Sequence, residues 1–165
     1  TDDDLYTIKA ELTVENTATD ADKAKNFIRT AIKARKYYRG SGEPVLFTTE
    51  DVLTDCLLLE DLNGRVIYDT VTKLATALRV KEIVTVPVME GCKRKDSSAK
   101  HHDVYGIIVN LKDYKLGADK GGAINLFDDF DIDYNQQKYL IETRCSGALT
   151  KPYSAIVVES KPIEG

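Results

Sequence analysis

The opening segment of the chain alternates. In "LYTIKAELTVE" Tyr6, Ile8, Ala10, Leu12 and Val14 share one side, and Thr7, Lys9, Glu11, Thr13 and Glu15 the other. A period of two predicts a strand with one wet face. The period then changes. Turn formers and helix caps in "NTATDAD" precede Ala24, Phe27, Ile28, Ala31, Ile32 and Tyr38, a helical spacing that predicts an amphipathic helix of about four turns, ended by Gly40 and Gly42. "PVLFTT" predicts a short buried strand, and Thr48 with Asp51 forms a capping pattern before a second helix, "VLTDCLLLEDL". Val52, Leu53, Cys56, Leu57 and Leu59 are too many apolar positions for one stripe, so that helix is expected to pack on more than one neighbour. Asp69 is placed to cap a third helix, "TVTKLATALRV", which buries Leu74, Ala75 and Leu78.

Beyond this point strands dominate. "EIVTVPV" reads as a strand that Pro87 confines to a sheet edge or a strand end. "MEGCKRKDSSAKHHD" is the most polar stretch and reads as an exposed loop, followed by the strand "VYGIIVNL". The glycines of "DYKLGADKGGAINLF" interrupt regular structure. "KYLIETR" and "SAIVVES" then predict two short strands, with the turn "CSG" after the first. The fold class expected is α+β, a mixed sheet in which the first and last segments pair around an inserted helical and strand lobe.

Composition narrows the function classes. The 165 residues suffice for one ordinary domain or two small ones, and 42% apolar with 30% charged residues is globular usage. A net charge of -4, from 27 acidic and 23 basic residues mixed along the chain, leaves no broad cationic field for phosphates. The longest apolar runs are strand-sized and the N-terminus is acidic, so neither a membrane span nor a signal peptide is predicted. Cys56, Cys92 and Cys145 are an odd number without a CxxC pair, which argues against a disulfide framework.

Candidate chemistry is sparse. Asp128, Asp129, Asp131 and Asp133 suggest a hard-cation loop, but Asp133 falls where an EF-hand needs glycine and Tyr139 where it needs glutamate. Alternation with Phe130 and Ile132 fits a strand with a solvated face instead. His101 and His102 are adjacent, so in extended chain they point apart and make a poor ligand pair. In "KLGADKGG" Gly117 and Gly121 are too close for a phosphate loop and no lysine-hydroxyl pair follows. Nucleophile-elbow and zincin motifs are missing from the sequence. Lys93, Arg94 and Lys95 form a basic run suited to an acidic neighbour at a protein interface. No catalytic, cofactor or metal residue is assigned.

The order of segments resembles the C-terminal half of tailed-phage major capsid proteins of the Hong Kong 97 type. The matching pieces are the turn Asp61 to Gly64 before a helix, the "IVTVPVM" strand Ile83 to Met89, and the late block Phe130 to Val158, "FDIDYNQQKYLIETRCSGALTKPYSAIVV". The resemblance implies a structural subunit, not an enzyme, of an icosahedral shell that self-assembles into pentamers and hexamers and encloses DNA without specific binding. Its partners would be other copies of itself, with no membrane and no small-molecule substrate, and its place the virion capsid, assembled in the bacterial host cytoplasm. Residues 1–20 would be a peripheral-domain strand remnant, 21–125 the axial domain and 126–165 the peripheral return strands. The N-terminal arm, extended loop and spine helix have no counterpart, so the chain reads as a fragment, with Lys93, Arg94 and Lys95 as candidate inter-subunit contacts. The alternatives are a divalent-metal-dependent enzyme using the Asp128 to Asp133 carboxylates and a small phage adaptor or decoration module.

Overall fold

The computed structural model describes residues 3–118, 125–142 and 144–163. In chain order its elements are α1 (Asp3–Tyr6), β1 (Thr7–Glu11), α2 (Asp20–Ala34), β2 (Val45–Thr48), α3 (Glu50–Leu57), α4 (Val71–Leu78) and β3 (Ile83–Thr85). There follow β4 (Lys93–Lys95), β5 (His101–Val109), β6 (Tyr114–Ala118), β7 (Asn125–Asp131), β8 (Gln136–Glu142), β9 (Cys145–Leu149) and β10 (Ala155–Glu159). Backbone contacts divide the chain into two compact units, residues 1–113 with 151–165, and residues 114–150. The architecture is α+β. This division differs from the boundaries at 20 and 125 that the resemblance implied.

The larger unit is built on a mixed sheet in the order β1-β10-β5-β2-β3. β1 runs parallel to β10, β10 antiparallel to β5, β5 antiparallel to β2, and β2 parallel to β3. The long strand β5 takes β2 along its Gly106–Val109 half and β4 along His101–Asp103. Register places Ile8, Ile156, Ile108, Leu46 and Ile83 side by side across five strands. Because alternate residues share a face, this row is one continuous apolar stripe. Phe27, Ile28 and Ala31 of α2, Leu53 and Cys56 of α3, and Leu74 and Leu78 of α4 join it in a single core. A Cβ on Gly106 would lie 3.1 Å from Leu46 and 3.2 Å from Phe27. Its missing side chain is therefore what lets Phe27 approach the sheet.

The predicted strand ends do pair, and Pro87 does end the edge strand β3, opening a 3-10 turn at Pro87–Met89. Several local expectations are corrected. α2 stops at Ala34 and continues as a 3-10 turn, Arg35–Tyr37, before either glycine is reached, and Ile32 faces solvent. The cap of α3 is Thr49, whose side chain accepts from the Val52 amide; Thr48 is a buried strand residue donating to the Tyr105 carbonyl at 2.7 Å. Thr70, not Asp69, caps α4, while Asp69 pairs with Lys73 at 2.6 Å. The stretch read as an exposed loop contains the hairpin β4-β5, folded over a turn in which Asp96 accepts from the Ser98 and Lys100 amides. The "CSG" segment is strand β9 instead of a turn. Sequence periodicity carried no sign of this, because β9 has no buried face.

The smaller unit is made of two ribbons of two strands each, β6 with β9 and β7 with β8. In the second, the four-residue turn Ile132 to Asn135 joins strands paired from Asn125↔Glu142 to Asp131↔Gln136. Gly121 lies outside the described residues. Among the described residues no helix is long and apolar enough to cross a membrane.

Ile156, fully buried at the centre of the apolar row, sets the stability of the larger unit. We expect Ile156→Ala to cost about 2–5 kcal/mol in urea unfolding. Ile132→Ala, exposed in the β7-β8 turn, should fall within about 0.5 kcal/mol.

Candidate functional site

Polar side chains from four strands of the sheet meet. Glu11 on β1 neighbours Glu159 on β10, while Arg94 on β4 neighbours His102 on β5. Glu159 is 1% exposed and His102 2%. Arg94 grips the carboxylate with both arms, Nε to Oε2 at 2.6 Å and Nη2 to Oε1 at 2.7 Å. A two-point, charge-assisted fork of this kind satisfies a carboxylate that burial would otherwise penalise. The bulge between Val158 and Glu159 in the pairing with β5 falls at this point.

Glu11, His102 and Glu159 offer three ligand atoms within 4.8 Å of one another, as a divalent metal would require. The hydrogen bonds oppose that use. His102 Nδ1 lies 2.9 Å from the Ser160 carbonyl, which can only accept, so Nδ1 carries the proton and has no lone pair for a metal. Nδ1 is 3.8 Å from both Glu11 and Glu159, and Nε2 is 3.6 Å from Asp96. Both Glu159 oxygens receive from Arg94. The Arg94–Glu159 pair is an ionic lock that ties β4 to β10, with His102 of β5 buried beside it.

A second polar cluster stands where the chain leaves and re-enters the larger unit. Asp113, 2% exposed, accepts from the Ser41 amide at 2.5 Å and from the Ser41 hydroxyl at 2.6 Å. Lys151 donates to the same hydroxyl and lies 3.6 Å from Asp113. Serine, lysine and aspartate suggest a nucleophile with its base. The geometry does not, since the Ser41 hydroxyl hydrogen is committed to Asp113 and Lys151 donates to the hydroxyl oxygen instead of accepting from it. Burial raises the Asp113 carboxyl, but the Ser41 and Lys151 donors outweigh it and hold the group below the usual carboxylate range.

A cleft of about 500 Å³ is lined by Asp20, Asp51, Asp55 and Glu90, with Phe27 and Tyr105 among its apolar walls. Burial, then the neighbouring Asp20 and Asp51 charges, pushes the Asp55 carboxyl up. Lys23 offsets part of the charge, 3.6 Å from Asp20. Cys56 beside it is buried, and burial followed by Asp55 pushes its thiol up to about 12. It remains a thiol at neutral pH and is no nucleophile.

The sequence-predicted residues scatter over these features. Lys93 and Lys95 are exposed, Lys93 at 3.9 Å from Asp103, whereas Arg94 between them points into the ionic lock. The "KRK" run is thus an alternating strand with its middle cation engaged. Asp128 lies on the opposite face of the β7-β8 ribbon from Asp129 and Asp131, and Asp131 is paired with Lys138. Among the described residues these carboxylates form no metal-holding group. Glu11, His102 and Glu159 escaped sequence reasoning because they are far apart in the chain. The one local signal was Glu159, a charge where the alternation of "SAIVVES" leads into the core.

No protein-family model matches the chain, and no curated protein matches it.

Removing one partner of the lock should expose its worth. We expect Glu159→Ala to cost about 3 kcal/mol, since it breaks a two-point ion pair whose carboxylate is buried, and the pair Arg94→Met with Glu159→Leu to recover most of that. Urea midpoints of the three proteins check this. The Ser41, Asp113 and Lys151 cluster predicts a pH dependence. With its folded pKa depressed, Asp113 contributes stability that is fully present above the unfolded carboxylate value, about 4, and is lost as pH falls through the lower folded one. The stability gap between wild type and Asp113→Asn should therefore be flat from about pH 7 to 5 and shrink below about 4.

Proposed function

We propose that the chain is the axial lobe, with part of the peripheral strands, of a shell-forming subunit of the Hong Kong 97 type, a structural protein whose work is done by interfaces between copies. The observation that carries this reading is the unit 114–150. A two-stranded ribbon has no core of its own and is marginal in water. Yet one face of β7-β8 presents Leu126, Phe130, Tyr139 and Ile141, all exposed, while Ile132 at the turn is 83% exposed and Leu116 on β6 is 75%. Apolar surface in this quantity is expected where another chain or segment covers it.

The order of local structure also supports the resemblance. Asp61 to Gly64 is a tight turn, in which Asp61 accepts from the Asn63 and Arg65 amides and Gly64 takes a positive φ of 72°. Helix α4 and then strand β3 follow. In this reading residues 1–113 with 151–165 are the axial lobe and the ribbons of 114–150 belong to the long strands of the peripheral part. The return to the axial sheet through β10 then replaces the expected boundary at 126. Such a subunit needs no active site, because heterologous contacts close into rings of five or six and many weak contacts sum to a stable container. The rival reading, a divalent-metal enzyme built on Asp128 to Asp133, lacks convergent carboxylates, and its heat of magnesium, manganese or calcium binding should be nil. An adaptor or decoration module has no observation in its favour.

Expression from the complete reading frame in a bacterial host, followed by gel filtration and electron microscopy, tests the proposal. We expect rings of five or six subunits or closed shells; a protein that stays monomeric at every concentration overturns it.

A further inference from the structure

Charge is mixed along the sequence as a whole, but two elements collect it. Asp20–Tyr37, comprising α2 and its 3-10 turn, carries six basic and two acidic residues, a net +4. The β7-β8 hairpin, Asn125–Glu142, carries five acidic residues and one lysine, a net -4 that equals the charge of the whole chain. Within α2 the acids Asp20 and Asp22 sit in the first turn, where the helix dipole favours them. Lys25, Arg29, Lys33 and Lys36 are all exposed, at spacings that line up one helix face. The dipole accounts for a cation in the last turn but not for Lys25 and Arg29 further back. Ile32 and Tyr37 are exposed among them.

Neither set of charges is satisfied at home. Among the described residues, Lys25, Arg29, Lys33 and Lys36 form no ion pair, and Lys36 rests only on the Tyr37 ring at 4.5 Å. Asp128, Asp129 and Asp133 likewise form none, and only Asp131 is paired, with Lys138. The hairpin interleaves these acids with exposed Phe130, Ile132 and Tyr134, as α2 interleaves its cations with Ile32 and Tyr37. Asp128 and Asp129 lie on opposite faces of the ribbon and Asp133 at its turn, so the hairpin is acidic around its tip on both faces.

We propose that the basic face of α2 in one copy receives the acidic β7-β8 hairpin of a second copy, in a head-to-tail contact. The inference rests on the shell reading above and names the surfaces that meet. The two elements are different patches, so the contact is heterologous and each copy can both give and receive, which is what a ring requires. Long-range attraction between +4 and -4 steers the encounter, and the apolar residues between the charges supply what salt cannot screen.

Two triple variants test it, Lys25→Glu with Arg29→Glu and Lys33→Glu, and Asp128→Lys with Asp129→Lys and Asp133→Lys. All six side chains are exposed, and circular dichroism confirms that each variant is folded. In sedimentation velocity at low salt, wild type should self-associate with rising concentration, about tenfold more weakly at high salt. Each variant alone should remain monomeric, and an equimolar mixture of the two should form a complex, because the swapped charges are again complementary. Association of either variant at the wild-type level, a mixture that stays monomeric, or a wild type monomeric throughout overturns the contact. So does a monomeric wild type that binds duplex DNA through α2, which would assign the face to a polyanion. The two readings fail separately. Shells that form from the complete reading frame and tolerate both variants remove this contact alone, whereas salt-sensitive pairing without rings or shells keeps the contact and removes the shell.

Discussion

The larger unit depends on one insertion: β10, near the end of the chain, must lie between β1, at its beginning, and β5. β1 has β10 as its strand neighbour, so the sheet cannot close until residues 155–159 have returned. That insertion brings Ile156 between Ile8 and Ile108 and Val158 opposite Ala10, completing the face on which α2 rests. It also delivers Glu159 to Arg94. Burial of the apolar row provides the driving force, and the ion pair removes the cost of burying the charge that comes with it. Contacts this distant in sequence carry a large loop-closure entropy before any of them is rewarded, which makes the topology slow to form and cooperative once formed.

Between β5 and β10 the chain runs through the smaller unit, 114–150, and the residues of the larger unit that flank it are joined to one another. Asp113 and Lys151 share Ser41, and Asn110 donates to the Ser41 carbonyl at 2.5 Å. Polar groups that look catalytic in isolation are thereby consumed in holding the architecture. The same holds for His102, whose ring is committed to the Ser160 carbonyl. Among the described residues, Leu126, Phe130, Tyr139 and Ile141 of the ribbon and Lys25, Arg29 and Lys33 of α2 remain exposed.

Much of the larger unit was legible from period alone. The alternation in β1, the helical spacing in α2 and the apolar triplet Leu74, Ala75 and Leu78 in α4 each report a buried face. Caps were misjudged by one residue, because Thr48 and Thr49 are chemically alike and only the register of β2 decides which is turned inward to Tyr105. The hairpin β4-β5 was hidden because its strand β4 presents two lysines to solvent and one arginine to the interior, a pattern indistinguishable from a basic loop until Glu159 is in place. Strand β9 was hidden for a simpler reason: nothing is buried on either side of it, so hydrophobicity has no period to report.

By itself, then, the sequence determined which segments have a buried side, that the first and last strands belong to one sheet, and that Asp128 to Asp133 do not follow a cation-binding loop. These are local matters of spacing, set by backbone geometry. Only the tertiary structure decided that Arg94 turns inward while Lys93 and Lys95 do not, that Asp113 and Lys151 meet at Ser41, and that the division of the chain falls at 113 and 150. Each of these joins residues far apart in the chain. Coulombic and hydrogen-bond energies depend on distance in space, and distance in space is what a linear pattern cannot express.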